Sequence, residues 1–371
     1  MQIDRVETYP LLHKISTPYG DANGYKQYRS CYLIRIITKS GIDGWGECID
    51  WLPTLHLGFT QRIIPYIVGK NASDRLKLVS TISKLHQRAA AAISMALTEI
   101  AAKSANISVC DLWGGKQRDM IPVYASLQSY TDKTDWIDHS LQAVEKTMRN
   151  GFNQLKVKVG GRMIKEDFMH IEKIQGKLGE KVWLILDANQ SYDLAAARQW
   201  ERHFSNWDNV LWMEEPLPLN NLREYQLLRS CLSVPIAGGE NLKNAKEFLK
   251  LLMNNSFDMI QPDILHGKGV EDFRDSLQLA RHFGARVSPH SYDGSVSRLH
   301  TLFCQAVLSS WTKMDGEKIE PLEWDVMENP FSDLVPIKPI SGKVSVPDGT
   351  GIGVEVDTEL IHAYLWDGST Y

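Results

Sequence analysis

From about Ile121 onward the chain repeats one unit, a short apolar run followed by an amphipathic helical stretch, and this repetition constrains the fold more than any other feature. The runs at 122–125, 154–159, 183–187, 211–214, 235–237, 259–261 and 286–288 read as strands. Residues 166–178, 194–204, 244–252 and 270–283 read as helices between them. Units of this length give a parallel sheet with crossover helices. About seven strands at near-regular spacing favour a closed barrel over an open sheet.

The residues before this repeat follow another pattern. Residues 3–11 and 32–38 are rich in β-branched and aromatic side chains, and 44–48 is a weaker third strand with a turn at 39–43. The polar stretches 18–26 and 50–56 read as loops, and 89–104 as a helix ended by Gly114-Gly115. The tail from about Val326 is loop-rich, with 353–356 strand-like, and need not belong to the barrel. With 43% hydrophobic and 23% charged residues among 371, the composition is that of an ordinary globular protein. A net charge of −4 gives no reason to expect nucleic acid or an anionic membrane as partner. Five scattered cysteines, never spaced CxxC, point to a reducing, cytoplasmic setting, and the amino terminus lacks a signal-peptide core.

The carboxylates fall at the ends of these strands. Asp187, Glu214 and Glu240 each follow an apolar run, 27 and 26 residues apart, one strand–helix unit at a time. Three acids at the carboxyl ends of successive parallel strands converge, and such a cluster is costly unless a cation neutralises it. An all-oxygen set favours a hard cation, Mg²⁺ above all. A single loop carboxylate is ordinarily just solvated; the repeated offset is what sets these three apart.

One strand earlier, alternation points Lys156 and Lys158 to the same face, the barrel interior. Their repulsion and a nearby cation are expected to lower the pKa of one of them, as a base requires. Asp263 and His290 end two later strands, where a carboxylate holds a histidine tautomer and raises its basicity. Glu323 is placed at the last barrel position.

In order, KVK, LDANQ, MEEP, GGEN, QPD and PHS resemble the enolase superfamily, and within it the mandelate racemase subgroup of the mandelate racemase/muconate lactonizing enzyme family. The resemblance implies an α/β fold: a modified (β/α)7β TIM-like barrel (121–325) under an α+β capping domain formed from the N-terminal region (1–120) and the C-terminal tail (326–371). It implies Mg²⁺ on Asp187, Glu214 and Glu240, and bases at Lys158 and at the Asp263–His290 dyad. Lys156 would neutralise the substrate carboxylate, and Glu323 would hydrogen-bond the ene-diolate. Cap residues Tyr19, Asn23, Tyr25, Lys26, Trp51 and His56, with Asn189 of the LDANQ run, would contact the rest of the substrate. Oligomers of identical subunits, dimers or octamers, are expected on the same ground.

Asp263 departs from the KxxKxGG of the lactonizing branch, and His266 and Lys268 depart from DxxKxGG; Lys268 either faces the site or points away. The resemblance and the polar cap favour dehydration of an acid sugar, a hexarate or hexonate, to a 2-keto-3-deoxy acid. The alternatives are a racemase or epimerase of a 2-hydroxy acid, a muconate-type cycloisomerase, disfavoured by Asp263, and a non-catalytic relative.

Overall fold

A computed structural model describes residues 1–179, 181–312 and 318–371. The first strands, β1 (Ile3–Asp21), β2 (Gly24–Thr38) and β3 (Asp43–Cys48), form an antiparallel sheet in that order. The helix Gln87–Ala105 lies against it, and its Ala-rich face allows close approach. Gly46 is what permits this contact: a Cβ there would lie 1.9 Å from the Ala92 carbonyl oxygen.

Two stretches that read as loops are regular. The polar run 18–26 is the tip of the long β1–β2 hairpin, with Tyr19 opposite Lys26, Gly20 opposite Tyr25 and Asp21 opposite Gly24. Only Ala22 and Asn23 make the turn, and Gly20 exchanges backbone hydrogen bonds with Tyr130 of the barrel (2.8 and 3.2 Å), which supply the pairing that composition does not advertise. Within 50–56, the helix Leu52–Gly58 starts with Pro53 in its first turn, where a missing N–H costs nothing.

The strands β4 (Met120–Ser126), β5 (Gln154–Lys158), β6 (Trp183–Asp187), β7 (Val210–Glu214), β8 (Ile236–Gly238), β9 (Met259–Ile260), β10 (Arg286–Val287) and β11 (Leu322–Asp325) run parallel, each beside the next from β4 to β10, with β11 on the free side of β4. Helices separate successive strands, giving the (β/α)7β arrangement. Between β10 and β11 isolated bonds replace a ladder: Ser288 Oγ donates to the Pro321 carbonyl (2.6 Å) and Val287 N to Glu320 Oε1 (2.9 Å). Alternation sorts the side chains. Leu155, Val157, Leu184 and Leu186 face the helices in the main core, whereas Tyr124, Ile185, Trp212, Ala237 and Met259 form a separate cluster.

The tail from 326 touches both parts. Strand β12 (Lys343–Ser345) pairs antiparallel with β4. Farther on, Leu12 N bonds the Tyr364 carbonyl (3.0 Å), Trp366 N the Pro10 carbonyl (2.9 Å), and the Tyr371 ring packs on Trp51 at 4.3 Å. The strand-like run 353–356 is not a strand: Gly353 takes a left-handed φ of 68°, which breaks the extended path. Cap and barrel also meet at Glu47 of β3, whose carboxylate accepts from Ser295 N and Ser297 N (both 2.9 Å) at the start of the helix Val296–Ala306. No described helix is long and apolar enough to cross a membrane.

Gly46→Ala is expected to cost about 3 kcal/mol or more through overpacking against Ala92. Urea unfolding checks this, and a loss under 1 kcal/mol (about a factor of five in the folding constant) would show that the helix can retreat.

Candidate active site at the mouth of the barrel

The register of the parallel sheet places the acids. Lys158 lies beside Asp187 and Asp187 beside Glu214, so the ends of β5, β6 and β7 form one lateral row. Glu214 sits opposite Ala237, and the chain then turns through Gly238-Gly239 to bring in Glu240. Gly239 takes φ 104°, and a Cβ there would meet the Phe248 ring at 2.8 Å. Glu215 fixes this turn, accepting from Gly239 N (2.9 Å) and from Gln190 Nε2 (2.7 Å). Asp187, Glu214 and Glu240 each offer an oxygen within 4.8 Å of the others.

The lysines lie among these acids. Lys156 is fully buried, with Nζ 2.6 Å from Glu214 Oε1, 2.8 Å from Glu323 Oε1 and 3.4 Å from Asp187 Oδ2. Lys158 pairs with the same Oδ2 of Asp187. Burial works to lower the pKa of both, but the carboxylates outweigh it, and both stand above the usual lysine value. With no cation on the acids, Asp187 raises Lys158 by more than Lys156 lowers it; the lowering that a base requires depends on a cation neutralising Asp187.

The acids divide unequally. Burial raises Glu214, Lys156 lowers it, and repulsion from Asp187, Glu323 and Glu240 brings it to about 7. Burial, with Glu240, brings Glu215 to about 8. Two lysines therefore leave negative charge uncompensated, and the all-oxygen donor set fits a hard divalent cation of the size of Mg²⁺.

Across the cavity, His290 Nδ1 donates to Asp263 Oδ2 (2.6 Å), and Asp263 is itself held by Leu265 N (2.7 Å). His290 Nε2 lies 3.2 Å from Glu240 Oε2 and 3.5 Å from Glu323 Oε2. Burial opposes protonation of His290, but Glu323, Glu240 and Asp263 carry its pKa up to about 10. Glu323 also accepts from Ser291 N (3.1 Å). His266 Nδ1 donates to the Glu240 carbonyl (2.7 Å), with its ring 6.2 Å from that of His290. Lys268 is exposed and does not line the cavity.

Lys158, Glu240, Asp263 and His290 open onto one cavity of about 310 Å³. Its cap side is made by the hairpin tip, where Asn23, Tyr25 and Lys26 line it as the sequence suggested. Asn189 lines it too; its Oδ1 has no partner among the described residues, and φ values of 44° at Asn189 and 64° at Gln190 mark a strained turn beside Asp187.

Three expected substrate residues lie elsewhere. Tyr19 is buried under the tip, where its hydroxyl accepts from Arg29 Nε (2.8 Å) and donates to the Glu328 carbonyl (3.1 Å). Trp51 stacks on Tyr371, and His56 Nδ1 pairs with the Tyr32 hydroxyl at 2.9 Å. The helix Leu52–Gly58 turns these two toward the C-terminal tail, away from the cavity lining. Sequence reasoning missed Gln128, Tyr292 and Asp293, which also line the cavity. Gln128 follows the end of β4 as Asp187 ends β6, and the same strand-end logic would have found it.

Two family models cover most of the chain: "Mandelate racemase / muconate lactonizing enzyme, N-terminal domain" over residues 6–114 and "Enolase C-terminal domain-like" over 140–360. The D-galactarolactone cycloisomerase of Agrobacterium fabrum is 26% identical, covering 97% of this chain and 98% of its own. The arabinonate dehydratase of Saccharolobus solfataricus is 26% identical over 98% of this chain and 99% of its own. Among solved structures, the 3,6-anhydro-D-galactonate cycloisomerase of Zobellia galactanivorans superposes with a TM-score of 0.85 at 26% identity, covering 99% of this chain and all of its own.

Mg²⁺ at a hundred times its Kd is expected to add about 2.7 kcal/mol of stability, read as a rise in Tm. Glu214→Gln should lose that rise. An equal rise in the variant would take Glu214 out of the metal site.

Proposed function

Because the chain belongs to the mandelate racemase/muconate lactonizing enzyme family of the enolase superfamily, we propose that it removes the proton α to a carboxylate of an acid sugar and expels the β-oxygen. The observation that carries this reading is the placement of Lys158 and the Asp263–His290 dyad on one polar cavity, beside the Asp187–Glu214–Glu240 cluster. A proton α to a carboxylate is very weakly acidic, so removing it requires concentrated positive charge where the ene-diolate forms. A Mg²⁺ ion on the three acids would supply electrophilic stabilisation of that charge.

The chain's own residues account for the rest. One base takes the C2 proton, and the carboxylate becomes an ene-diolate beside Lys156. The ene-diolate electrons then return to form the C2–C3 double bond as the C3–O bond breaks. The protonated partner base gives its proton to the leaving hydroxyl, which departs as water. The resulting enol takes a proton at C3 and becomes the 2-keto-3-deoxy acid. His290, with Nδ1 held by Asp263 and its ring on the cavity, is placed to act as the acid toward the leaving oxygen.

A second reading keeps every residue in its role and changes only the leaving group, which would be a ring oxygen whose departure opens an anhydro or lactone ring. The full-length relatives named as cycloisomerases support it. Asp263 opposes only the muconate type, which uses a lysine at that position.

Purified enzyme with Mg²⁺ should convert an open-chain acid sugar to a product that semicarbazide traps as a 2-keto acid. Turnover only of anhydro or lactone forms would favour ring opening. Racemisation of 2-hydroxy acids without any keto product would overturn both readings. His290→Asn should reduce elimination at least ~10³-fold, in the range general acid–base catalysis supplies.

A further inference from the structure

We propose that the enzyme selects acid sugars with one carboxylate, whose far end carries hydroxyls, over those with a carboxylate at both ends; this rests on the elimination reading above. The cap side of the cavity carries Asp21 and Lys26 from the hairpin tip, and Asp293 faces it from beyond β10. Lys26 is the cation this wall offers, and it is already engaged: Nζ stands 3.6 Å from Asp293 Oδ2 and 4.2 Å over the Tyr292 ring.

Asp293 is fixed in place as an anion. Its other oxygen accepts from Arg29 Nη1 at 2.5 Å, and Arg29 is only 2% exposed. Burial works to raise the Asp293 pKa, but Lys26 and Arg29 together hold it at about 2. Arg29 is shared with Asp325, 2.9 Å from Nη2, and so has no charge to spare for a ligand. Asp21 adds a further carboxylate, close enough to Lys158 to raise its pKa.

Of the charged side chains that line this wall, Lys26 stands against Asp21 and Asp293, a net negative charge of one; Arg29 and Asp325 lie behind it as a pair. A second substrate carboxylate placed there would meet like charge, whereas hydroxyls could donate to Asp21 and Asp293 and accept from Lys26. Arg162 donates to the Tyr25 hydroxyl (2.9 Å) and the Thr131 carbonyl (3.2 Å) and does not line the cavity.

The test compares kcat/KM, with Mg²⁺, for six-carbon aldonates and for the aldarates of matching stereochemistry. Wild type should favour the aldonate at least ~100-fold, the scale that a like charge in a desolvated pocket imposes. Asp293→Asn frees Lys26 and should shrink that preference at least ~10-fold, chiefly by raising aldarate kcat/KM. Asp21→Asn should act in the same direction and serves if the first variant fails to fold. Equal or better use of aldarates by wild type, or an unchanged ratio in a folded variant, overturns the proposal. If no acid sugar is turned over, the elimination reading fails. The thermal shifts given by the two acids with Mg²⁺ then decide the selectivity: a larger shift with the aldonate supports it, and an equal or larger one with the aldarate overturns it.

Discussion

A fully buried lysine ringed by carboxylates is the interaction on which the mouth of the barrel depends. Lys156 has no water to solvate it, and an isolated ammonium in such a place would cost several kcal/mol. It is tolerable only because Glu214, Glu323 and Asp187 reach it from β7, β11 and β6. Those contacts exist only in one strand register. A slip of one residue would turn the lysines toward the helices and the leucines toward the polar mouth. Folding and chemistry therefore answer to the same constraint: the register that makes the charges bearable also aligns Lys158, Asp187 and Glu214 in a row.

The cap completes what the barrel begins. Arg29 of β2 reaches across to Asp293, Tyr292 and Asp325, and Glu47 of β3 closes the start of a barrel helix. From the other direction, Gln87 of the cap helix donates to the His266 carbonyl (2.9 Å), steadying the loop whose side chain holds the Glu240 carbonyl. These bonds are buried or partly buried and charge-assisted in several cases, so the hairpin tip is a positioned wall of the cavity. In the proposed reading the barrel supplies the reaction and the cap supplies the choice of substrate.

The barrel and its strand-end acids were legible because both rest on short-range regularities. Alternation of period two and a repeat of about 26 residues mark where Lys156, Lys158, Asp187 and Glu214 must fall and which way they face. The hairpin tip was not legible. Gly, Asn and Asp there read as loop, yet residues 19–21 pair with 24–26 across the turn, and Gly20 is held in addition by Tyr130, more than a hundred residues away. The same distance hid Asp293, whose significance depends on Lys26 and Arg29. It also hid the fates of Tyr19, Trp51 and His56: a polar aromatic near a site in sequence shows nothing of its direction until the helix beneath it is known.

The central claim is that two bases face one α-carbon from opposite sides. Proton NMR of an acid sugar incubated with the enzyme and Mg²⁺ in D2O tests it directly. The account predicts Mg²⁺-dependent deuterium at C2 with wild type, retained in His290→Asn for the substrate whose proton faces Lys158, and lost when Lys158 is also replaced by Ala. Exchange that survives the double replacement, or no exchange with any acid sugar in the presence of Mg²⁺, would contradict it.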